Sequence, residues 1–316
     1  MKIIFFGTSL FASRILSALI DQGVEVAAVV TRVDKPRGRN LELQPPPVKV
    51  LVLERYPSLP ILQPAKASSP EFIEQLKTYG ADLFLVVAYG EILKASLLAL
   101  PPLGCVNIHA SLLPKYRGAA PMQRGLMDGV KETGITLIAM NAQMDAGDVL
   151  AIESIPVPVD MTLGQLEVKL CDLAIELTAR TLSDLAGGRA HYQPQDHTLA
   201  TLAPKLTQDE MRIDWNLPAE TIHNLVRALS PFPGAWCEVL VAQEKKRLKI
   251  KRASVDPSLQ GEPGAVVKLT AQECVVACGA GSLVLLEVQL EGKKTMTTAQ
   301  FLQGFQSLLK KSPRFY

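Results

Sequence analysis

Short apolar segments alternate with helical patterns over residues 1–188, and this alternation limits the possible folds more than any other feature of the chain. Each segment is rich in Ile, Val, Leu and Phe and is bounded by Gly, Pro or charged residues, as expected of strands buried on both faces of a parallel sheet. The predicted strands are residues 2–6, 24–31, 81–88, 105–109 and 134–140. The pattern therefore predicts an α/β domain with a doubly wound, mainly parallel sheet.

Helical patterns separate these strands. Four predicted helices cover residues 11–22, 70–79, 91–100 and 121–128. A longer amphipathic helix begins after Thr162, which forms a capping-box pattern with Gln165, and it ends near Gly187 and Gly188. We therefore expect the first domain to comprise residues 1–189.

The chain changes character after residue 189. Residues 190–206 are polar, with little helix or strand periodicity, and we expect a linker there. Beyond it the pattern predicts a helix and then five short strands, at residues 218–229, 236–241, 248–253, 265–269, 274–277 and 283–289. Five short strands with turn residues between them favour a small antiparallel barrel of the OB type in a second domain, residues 207–316.

Length and composition agree with two folded domains. The 316 residues exceed one ordinary core, and a hydrophobic content of 48% argues against disorder. The five cysteines are odd in number and form no CxxC pair, which indicates a reducing compartment. The apolar run before Gly7 is too short for a signal peptide, and no uncharged run has membrane-spanning length. We expect a soluble cytoplasmic protein.

Three polar residues are candidates for catalysis. Asn107 and His109 are two residues apart on a predicted strand, so both side chains leave the same face of the sheet. Asp145 follows in a later loop, Asp145-Ala146-Gly147-Asp148. Taken singly, the three are a polar strand end, a core histidine and a turn residue. Together, an amide, an imidazole and a carboxylate are the groups that acyl or formyl transfer to an amine requires.

Another common use of such a sheet is nucleotide binding, and the turn after the first strand bears on it. Gly7-Thr8-Ser9 lacks the second and third glycines of the dinucleotide fingerprint, and the second strand ends in Thr31 and Arg32 without an acidic residue. A nicotinamide oxidoreductase is therefore disfavoured.

Basic residues concentrate towards one end of the chain. The net charge is +2, and from residue 207 onward 14 Lys and Arg stand against 11 Asp and Glu. The densest run is 245–252, where strand alternation would place Arg247, Lys249 and Lys251 on one face. A second basic stretch, residues 31–47, holds Arg39 and three other cationic residues. Each is either a solvated surface or a contact for a phosphodiester backbone.

Several motifs occur in an order that is typical of one family. They are Phe6-Gly7-Thr8, Pro47-Val48-Lys49, Val86-Val87-Ala88-Tyr89-Gly90, Asn107-Ile108-His109, Ser111-Leu112-Leu113-Pro114, Arg117-Gly118-Ala119-Ala120-Pro121 and Asp145-Ala146-Gly147-Asp148. Along nearly its whole length the chain resembles the folate-dependent formyltransferases. The Arg117 motif and Met211-Arg212-Ile213-Asp214-Trp215 are similar to the branch that acts on methionyl-tRNA.

This resemblance implies a Rossmann-like catalytic domain joined to an OB-like, tRNA-binding domain in a cytoplasmic monomer. It implies transfer of formyl from 10-formyltetrahydrofolate to methionyl initiator tRNA, without a metal ion, with Asn107, His109 and Asp145 as catalytic residues. The residues implied to contact the folate are Ser111, Leu112, Leu113 and Pro114. The loop at residues 34–45 would meet the acceptor stem through Arg39, although residues 40–43 are apolar and acidic where the family is more basic.

Three alternatives stay open at this point. Within the same chemistry, the acceptor could be a sugar or nucleotide amine, or water in a formyl-folate hydrolase. The basic barrel argues against both, and by its charge we assign Lys249 and Lys251 to tRNA. A protein that only binds nucleic acid would leave the combination of Asn107, His109 and Asp145 unexplained.

Overall fold

A computed structural model describes residues 1–37, 42–241, 244–311 and 313–316. The chain forms two compact units. The first contains residues 1–121, 132–155 and 167–204, and the second contains residues 122–131, 156–166 and 205–316. Most of the segment expected as a linker, residues 190–204, thus belongs to the first unit.

The first unit is built on a seven-stranded sheet in the order β5-β2-β1-β6-β7-β8-β9. The strands described up to residue 156 are β1 Lys2–Gly7, β2 Glu25–Val30, β3 Lys35–Arg37, β4 Glu42–Gln44, β5 Ile61–Leu62, β6 Leu83–Val87, β7 Cys105–His109, β8 Glu132–Ala139 and β9 Val149–Pro156. The pairs from β5 through β7 are parallel. This confirms the predicted mainly parallel, Rossmann-like sheet. The predicted fifth strand is present as β8, but it runs antiparallel to β7.

The helices follow the capping signals of the sequence. They are α1 Leu10–Asp21, α2 Pro47–Arg55, α3 Pro70–Lys77, α4 Ala95–Leu98, α5 Pro121–Met127 and α6 Leu163–Ala186. Ser9 and Ser69 cap α1 and α3 through their hydroxyls. The predicted capping box is present, since the Thr162 N–H donates to Gln165 Oε1 at 3.0 Å. The helix expected over residues 91–100 is reduced to the single turn of α4.

The loop expected at residues 34–45 contains two short strands among its described residues. Strands β3 and β4 pair antiparallel, and α2 begins directly after them, at Pro47. The base of this ribbon is fixed by Lys49, whose Nζ donates to both carboxylate oxygens of Asp34 and to Gln63 Oε1. Hydrogen bonds from Gln63 and Lys49 lower the pKa of Asp34. Arg39, the predicted tRNA contact, lies outside the described residues.

The second unit contains an antiparallel sheet in the order β10-β11-β14-β13-β12. Its strands are β10 Ala235–Val241, β11 Glu244–Asp256, β12 Val266–Leu269, β13 Cys274–Ala277, β14 Ser282–Leu290 and the short β15 Met296–Thr297, with helices α7 Ala219–Ala228 and α8 Thr298–Lys311. All five predicted strands are present, and the sheet confirms the expected OB-like class. Helix α8 was not predicted from the sequence.

Phe315 and Tyr316 connect the two outer strands of this sheet, β10 and β12. Tyr316 and Glu238 of β10 exchange two backbone hydrogen bonds, of 2.8 and 2.9 Å. On the other side, the Phe315 N–H donates to Gly264 O, just before β12. Phe315 is 1% exposed and packs edge-on against Trp215. The two outer strands are thereby joined, which removes two open sheet edges.

The structure shows the state of the cysteines and the character of the helices. All five cysteines are buried free thiols, and burial raises the pKa of Cys105 to about 12. Within the described ranges, no helix combines the length and apolarity that a membrane span requires.

Candidate active site

Asn107 and His109 lie at the carboxyl end of β7, in the middle of the sheet. Asn107 pairs in register with Val86 of β6 on one side and Ile138 of β8 on the other. His109 ends the strand and is 5% exposed. The apolar neighbours of β7 therefore hold two polar side chains at the edge where parallel α/β sheets bind their ligands.

Asp145 reaches the same place from the loop between β8 and β9. Its Oδ1 accepts a hydrogen bond from Asn107 Nδ2 at 3.3 Å, and its Oδ2 lies 3.6 Å from His109 Nδ1. Oδ2 also accepts the Gly118 N–H at 2.8 Å. Asp145 is held at φ +49, in the left-handed region. The structure brings the three predicted residues into one cluster, and their catalytic roles stay predictions.

The imidazole of His109 is oriented from both sides. Its Nε2 lies 2.9 Å from the carbonyl oxygen of Tyr116, which can only accept a hydrogen bond. Nε2 therefore carries the hydrogen, and Nδ1 is the nitrogen that faces Asp145.

The loop after β7 contains the residues predicted to contact the folate. The Ser111 hydroxyl is fully buried and donates to Lys115 O at 2.7 Å. Leu113 is also buried, and its N–H donates to Thr136 Oγ1. Leu112 and Pro114 are partly exposed. Leu112 and Pro114 are thus the more accessible of the four, and the contact of all four residues with a folate stays a prediction.

Arg117 begins the motif that follows the loop after β7. Its guanidinium donates through Nη2 to Gln195 Oε1 at 2.6 Å and contacts His197 Nδ1 at 2.8 Å. Gln195 is 8% exposed and donates to the carbonyls of Asp145 and Gly147. Sequence reasoning missed Gln195, because the polar stretch around it is typical of a linker.

The turn after β6 contributes an aromatic group at the same sheet edge. Tyr89 is 2% exposed, and the Arg32 guanidinium lies 5.9 Å from its ring centroid. Arg32 also forms an ion pair with Glu91. Burial raises the pKa of Tyr89, so the phenol stays neutral and available as a donor.

The basic face predicted on β11 is only partly exposed to solvent. Register with β10 places Arg247 and Lys249 opposite Glu238 and Trp236, on the side away from the buried Leu248. Arg247 is exposed and stacks on the Trp236 ring at 3.9 Å. Lys249 is half-buried and donates to Pro233 O at 2.8 Å.

Lys251 differs most from the expectation of a solvent-facing cation. It is 7% exposed, and its Nζ donates to Pro231 O at 2.6 Å. Burial lowers the pKa of this ammonium. A phosphate contact by Lys251 stays a prediction, and it requires the ammonium to leave its carbonyl partner.

Within the described residues, no group of three or more His, Cys, Asp or Glu side chains is placed to hold a metal ion.

Two family models match the chain. One is described as formyl transferase and matches residues 1–182. The other is described as formyl transferase, C-terminal domain, and matches residues 205–306. Between them they account for both the sheet that carries Asn107 and His109 and the antiparallel sheet of the second unit.

Curated relatives are similar over almost the whole chain. The methionyl-tRNA formyltransferase of Protochlamydia amoebophila is 47% identical over 304 residues, covering 96% of this chain and 95% of that protein. The protein of the same name from Chlamydia caviae is 46% identical over 308 residues, with coverage of 96% and 95%. Among solved structures, HypX from Aquifex aeolicus in complex with tetrahydrofolic acid has a TM-score of 0.66 at 19% identity. That match covers 96% of this chain and 47% of HypX, and it concerns the fold.

Proposed function

The chain belongs to the formyl transferase family, and we propose that it transfers the formyl group of 10-formyltetrahydrofolate to the free amino group of methionyl initiator tRNA. The products are N-formylmethionyl-tRNA and tetrahydrofolate. One observation carries this proposal: Asn107, His109 and Asp145 meet at the carboxyl end of β7, in a chain that is 47% identical to a methionyl-tRNA formyltransferase. We place the protein in the cytoplasm as a monomer.

The reaction exchanges one C–N bond for another. The neutral amine of the methionyl group attacks the formyl carbon, and a tetrahedral oxyanion forms. The bond from that carbon to N10 of the folate then breaks, the amine loses a proton and N10 gains one. The site must therefore stabilise an oxyanion and move one proton.

Asn107 is the first donor for the oxyanion. Its amide has two hydrogens, and the contact with Asp145 Oδ1 uses one of them. His109 supplies a second donor when Nδ1 carries a hydrogen, because Nδ1 lies 3.6 Å from Asp145 Oδ2, too far for a hydrogen bond, whereas Nε2 is bound to Tyr116. One preorganised donor of this kind is typically worth about 3 kcal/mol in the transition state. Asp145 orients His109 and relays the proton from the amine to N10, through water.

The acceptor is tested by transfer of labelled formyl from 10-formyltetrahydrofolate to charged tRNA. We expect the label on methionyl initiator tRNA and about 10²-fold less on methionyl elongator tRNA, since discrimination between related substrates commonly reaches this size. Absence of transfer to either tRNA would sink the proposal. Release of formate without tRNA would indicate a hydrolase instead, and label on an amino sugar would indicate a sugar formyltransferase.

We propose that tRNA is held by the β3–β4 ribbon and by the outer face of β10 and β11. Lys249 and Lys251 remain our proposed backbone contacts, and the exposed Arg247 lies on the same face as Lys249. The Trp236 ring holds the Arg247 guanidinium at 3.9 Å by a cation–π contact, which keeps this exposed cation on the face where a phosphate would bind.

Charge reversal on this face is expected to weaken tRNA binding without affecting chemistry. The double variant Arg247→Glu/Lys249→Glu should raise KM for tRNA about 10-fold and lower the salt dependence of log KM by roughly 1 to 2, one unit for each lost phosphate contact. Lys251 is left unchanged, because reversing a buried charge would also perturb folding. Lys293→Glu, exposed in the same unit, is the control. An unchanged salt slope would place the tRNA elsewhere.

A further inference from the structure

His109 is contacted by two residues with unusual backbone geometry. Tyr116, whose carbonyl accepts from Nε2, has φ +62, and Asp145, whose carboxylate faces Nδ1, has φ +49. Residues with a side chain are rarely left-handed, and such conformations persist only where the surroundings impose them. The two groups that face the imidazole nitrogens, the Tyr116 carbonyl at 2.9 Å and the Asp145 carboxylate at 3.6 Å, are therefore held in place by other contacts.

One segment contacts both partners. Residues 193–203, which we call the strap, lie against the loops that carry Tyr116 and Asp145. The strap has its own attachment, because Gln193 and Val149 exchange backbone hydrogen bonds of 2.8 and 2.9 Å at the start of β9. It is part of the segment that the sequence indicated as a linker.

On the Tyr116 side, the strap binds the backbone through Thr201. The Tyr116 N–H donates to Thr201 Oγ1 at 2.9 Å, and the Arg117 N–H donates to Thr201 O at 2.8 Å. Two residues further on, the Ala203 N–H donates to Arg117 O at 2.6 Å. These contacts fix the peptide groups on both sides of Tyr116, and with them the direction of its carbonyl.

On the Asp145 side, the strap binds through Gln195. Its Nε2 donates to Asp145 O at 3.0 Å and to Gly147 O at 2.6 Å, so one amide holds the turn at two points. Its Oε1 accepts from Arg117. The Gly118 N–H, next along the chain, donates to Asp145 Oδ2, which closes a ring of contacts from the Asp145 backbone to its own carboxylate.

We infer that the strap positions His109 by holding both of its partners, with Thr201 and Gln195 as positioning residues. Thr201 sets the Tyr116 carbonyl, which keeps the hydrogen on Nε2. Gln195 sets the left-handed turn that points the Asp145 carboxylate at Nδ1. The expected effect on kcat rests on the proposed function, whereas the expected effect on the tautomer of the His109 imidazole does not.

The Thr201 contact is tested by a conservative pair of variants. Thr201→Val, which removes the acceptor at nearly constant size, should lower kcat at least about 10-fold, since small displacements of catalytic groups cost up to 10²-fold. KM for both substrates should stay within about twofold, and Thr201→Ser should restore kcat. Thr78→Val, which removes a surface hydroxyl bound to a backbone carbonyl at the end of α3, is the control. Equal activity of the Val and Ser variants would overturn the role of Thr201.

The Gln195 contact is tested by a double-mutant cycle with Asp145→Ala. Gln195→Ala alone should lower kcat at least about 10-fold, but in the Asp145→Ala background it should add less than about twofold, because no carboxylate remains to be aimed. A full additional loss would show that Gln195 acts independently of Asp145, and the inference would be wrong. If Gln195→Ala fails to fold, Gln195→Glu replaces it, because Glu keeps an acceptor for Arg117 but cannot donate to the two carbonyls.

A readout without activity separates this inference from the proposed function. In ¹⁵N NMR spectra of the imidazoles, His109 should show the Nε2–H form in the wild type and a mixture of tautomers in Thr201→Val. An unchanged tautomer in that variant would contradict the positioning role, even in an active enzyme. If the wild type transfers formyl to no acceptor, the proposed function fails, and the tautomer still decides whether the strap orients His109.

Discussion

Replacement of Asp145 by asparagine is expected to lower kcat for formyl transfer about 10³-fold, with KM for formyl-folate and tRNA changed by less than about threefold. Asparagine keeps the size of the side chain, and its carbonyl can still accept the Gly118 N–H. It removes the negative charge 3.6 Å from His109 Nδ1, and with it the group that takes up the proton of the attacking amine. The loss therefore falls on the chemical step.

Single-turnover transfer from formyl-folate to charged initiator tRNA measures this step directly. Asp148→Asn is the matched control, because Asp148 lies in the same loop with an exposed side chain, and it should retain near wild-type kcat. The assignment of Asp145 as the proton relay is wrong if the two variants have the same rate. A rise in KM at unchanged kcat would instead make Asp145 a residue that only binds substrate.

The strand that carries the site is the element that the sequence predicted best. The range 105–109 is found residue for residue, because the apolar Cys105, Val106 and Ile108 after Gly104 favour a strand at the centre of a sheet. The capping box at Thr162 and Gln165 was also correct, since its two hydrogen bonds span only three residues. Local patterns of this kind can be predicted because they depend only on residues that are close in the sequence.

Features that depend on distant contacts were missed. Gln195 lies 48 to 78 residues from the groups it binds, and nothing near it in the sequence shows that those groups are its partners. The orientation of β8 was likewise not predictable from its composition, because an apolar strand pairs in either direction. The part of the site that orients His109 therefore appeared only in three dimensions.

Lys251 shows a similar limit for charged residues. Alternation along β11 predicts that it shares a face with Arg247 and Lys249, but alternation does not show what covers that face. The loop through Pro231 lies over Lys251, and its carbonyl takes the place of water at the ammonium. A basic run thus combines an exposed cation, Arg247, with a buried one, Lys251, and we expect their substitutions to have different consequences.

Substitution of Gly147 by alanine is expected to destabilise the first unit by about 3 kcal/mol and to reduce activity with it, because overpacking against rigid backbone is costly. A Cβ at Gly147 would lie 1.7 Å from the carbonyl oxygen of Ala139, the last residue of β8. The Ala139 backbone cannot move away easily, because its N–H is hydrogen-bonded to Asp148 O at 2.9 Å. The loop must move instead, and it carries Asp145.

Urea unfolding and kcat, measured on the same preparation, test this coupling. Gly304→Ala is the control, because Gly304 is an exposed position of α8 with open space for a Cβ, and alanine should stabilise that helix by up to about 1 kcal/mol. Gly147→Ala should unfold at lower urea and lose kcat even where it is still folded, because the same displacement breaks the Gln195 contact with Gly147 O. Wild-type kcat in the folded variant would mean that the Asp145 carboxylate keeps its orientation toward His109 without this turn. The geometry of the turn would then be unrelated to catalysis.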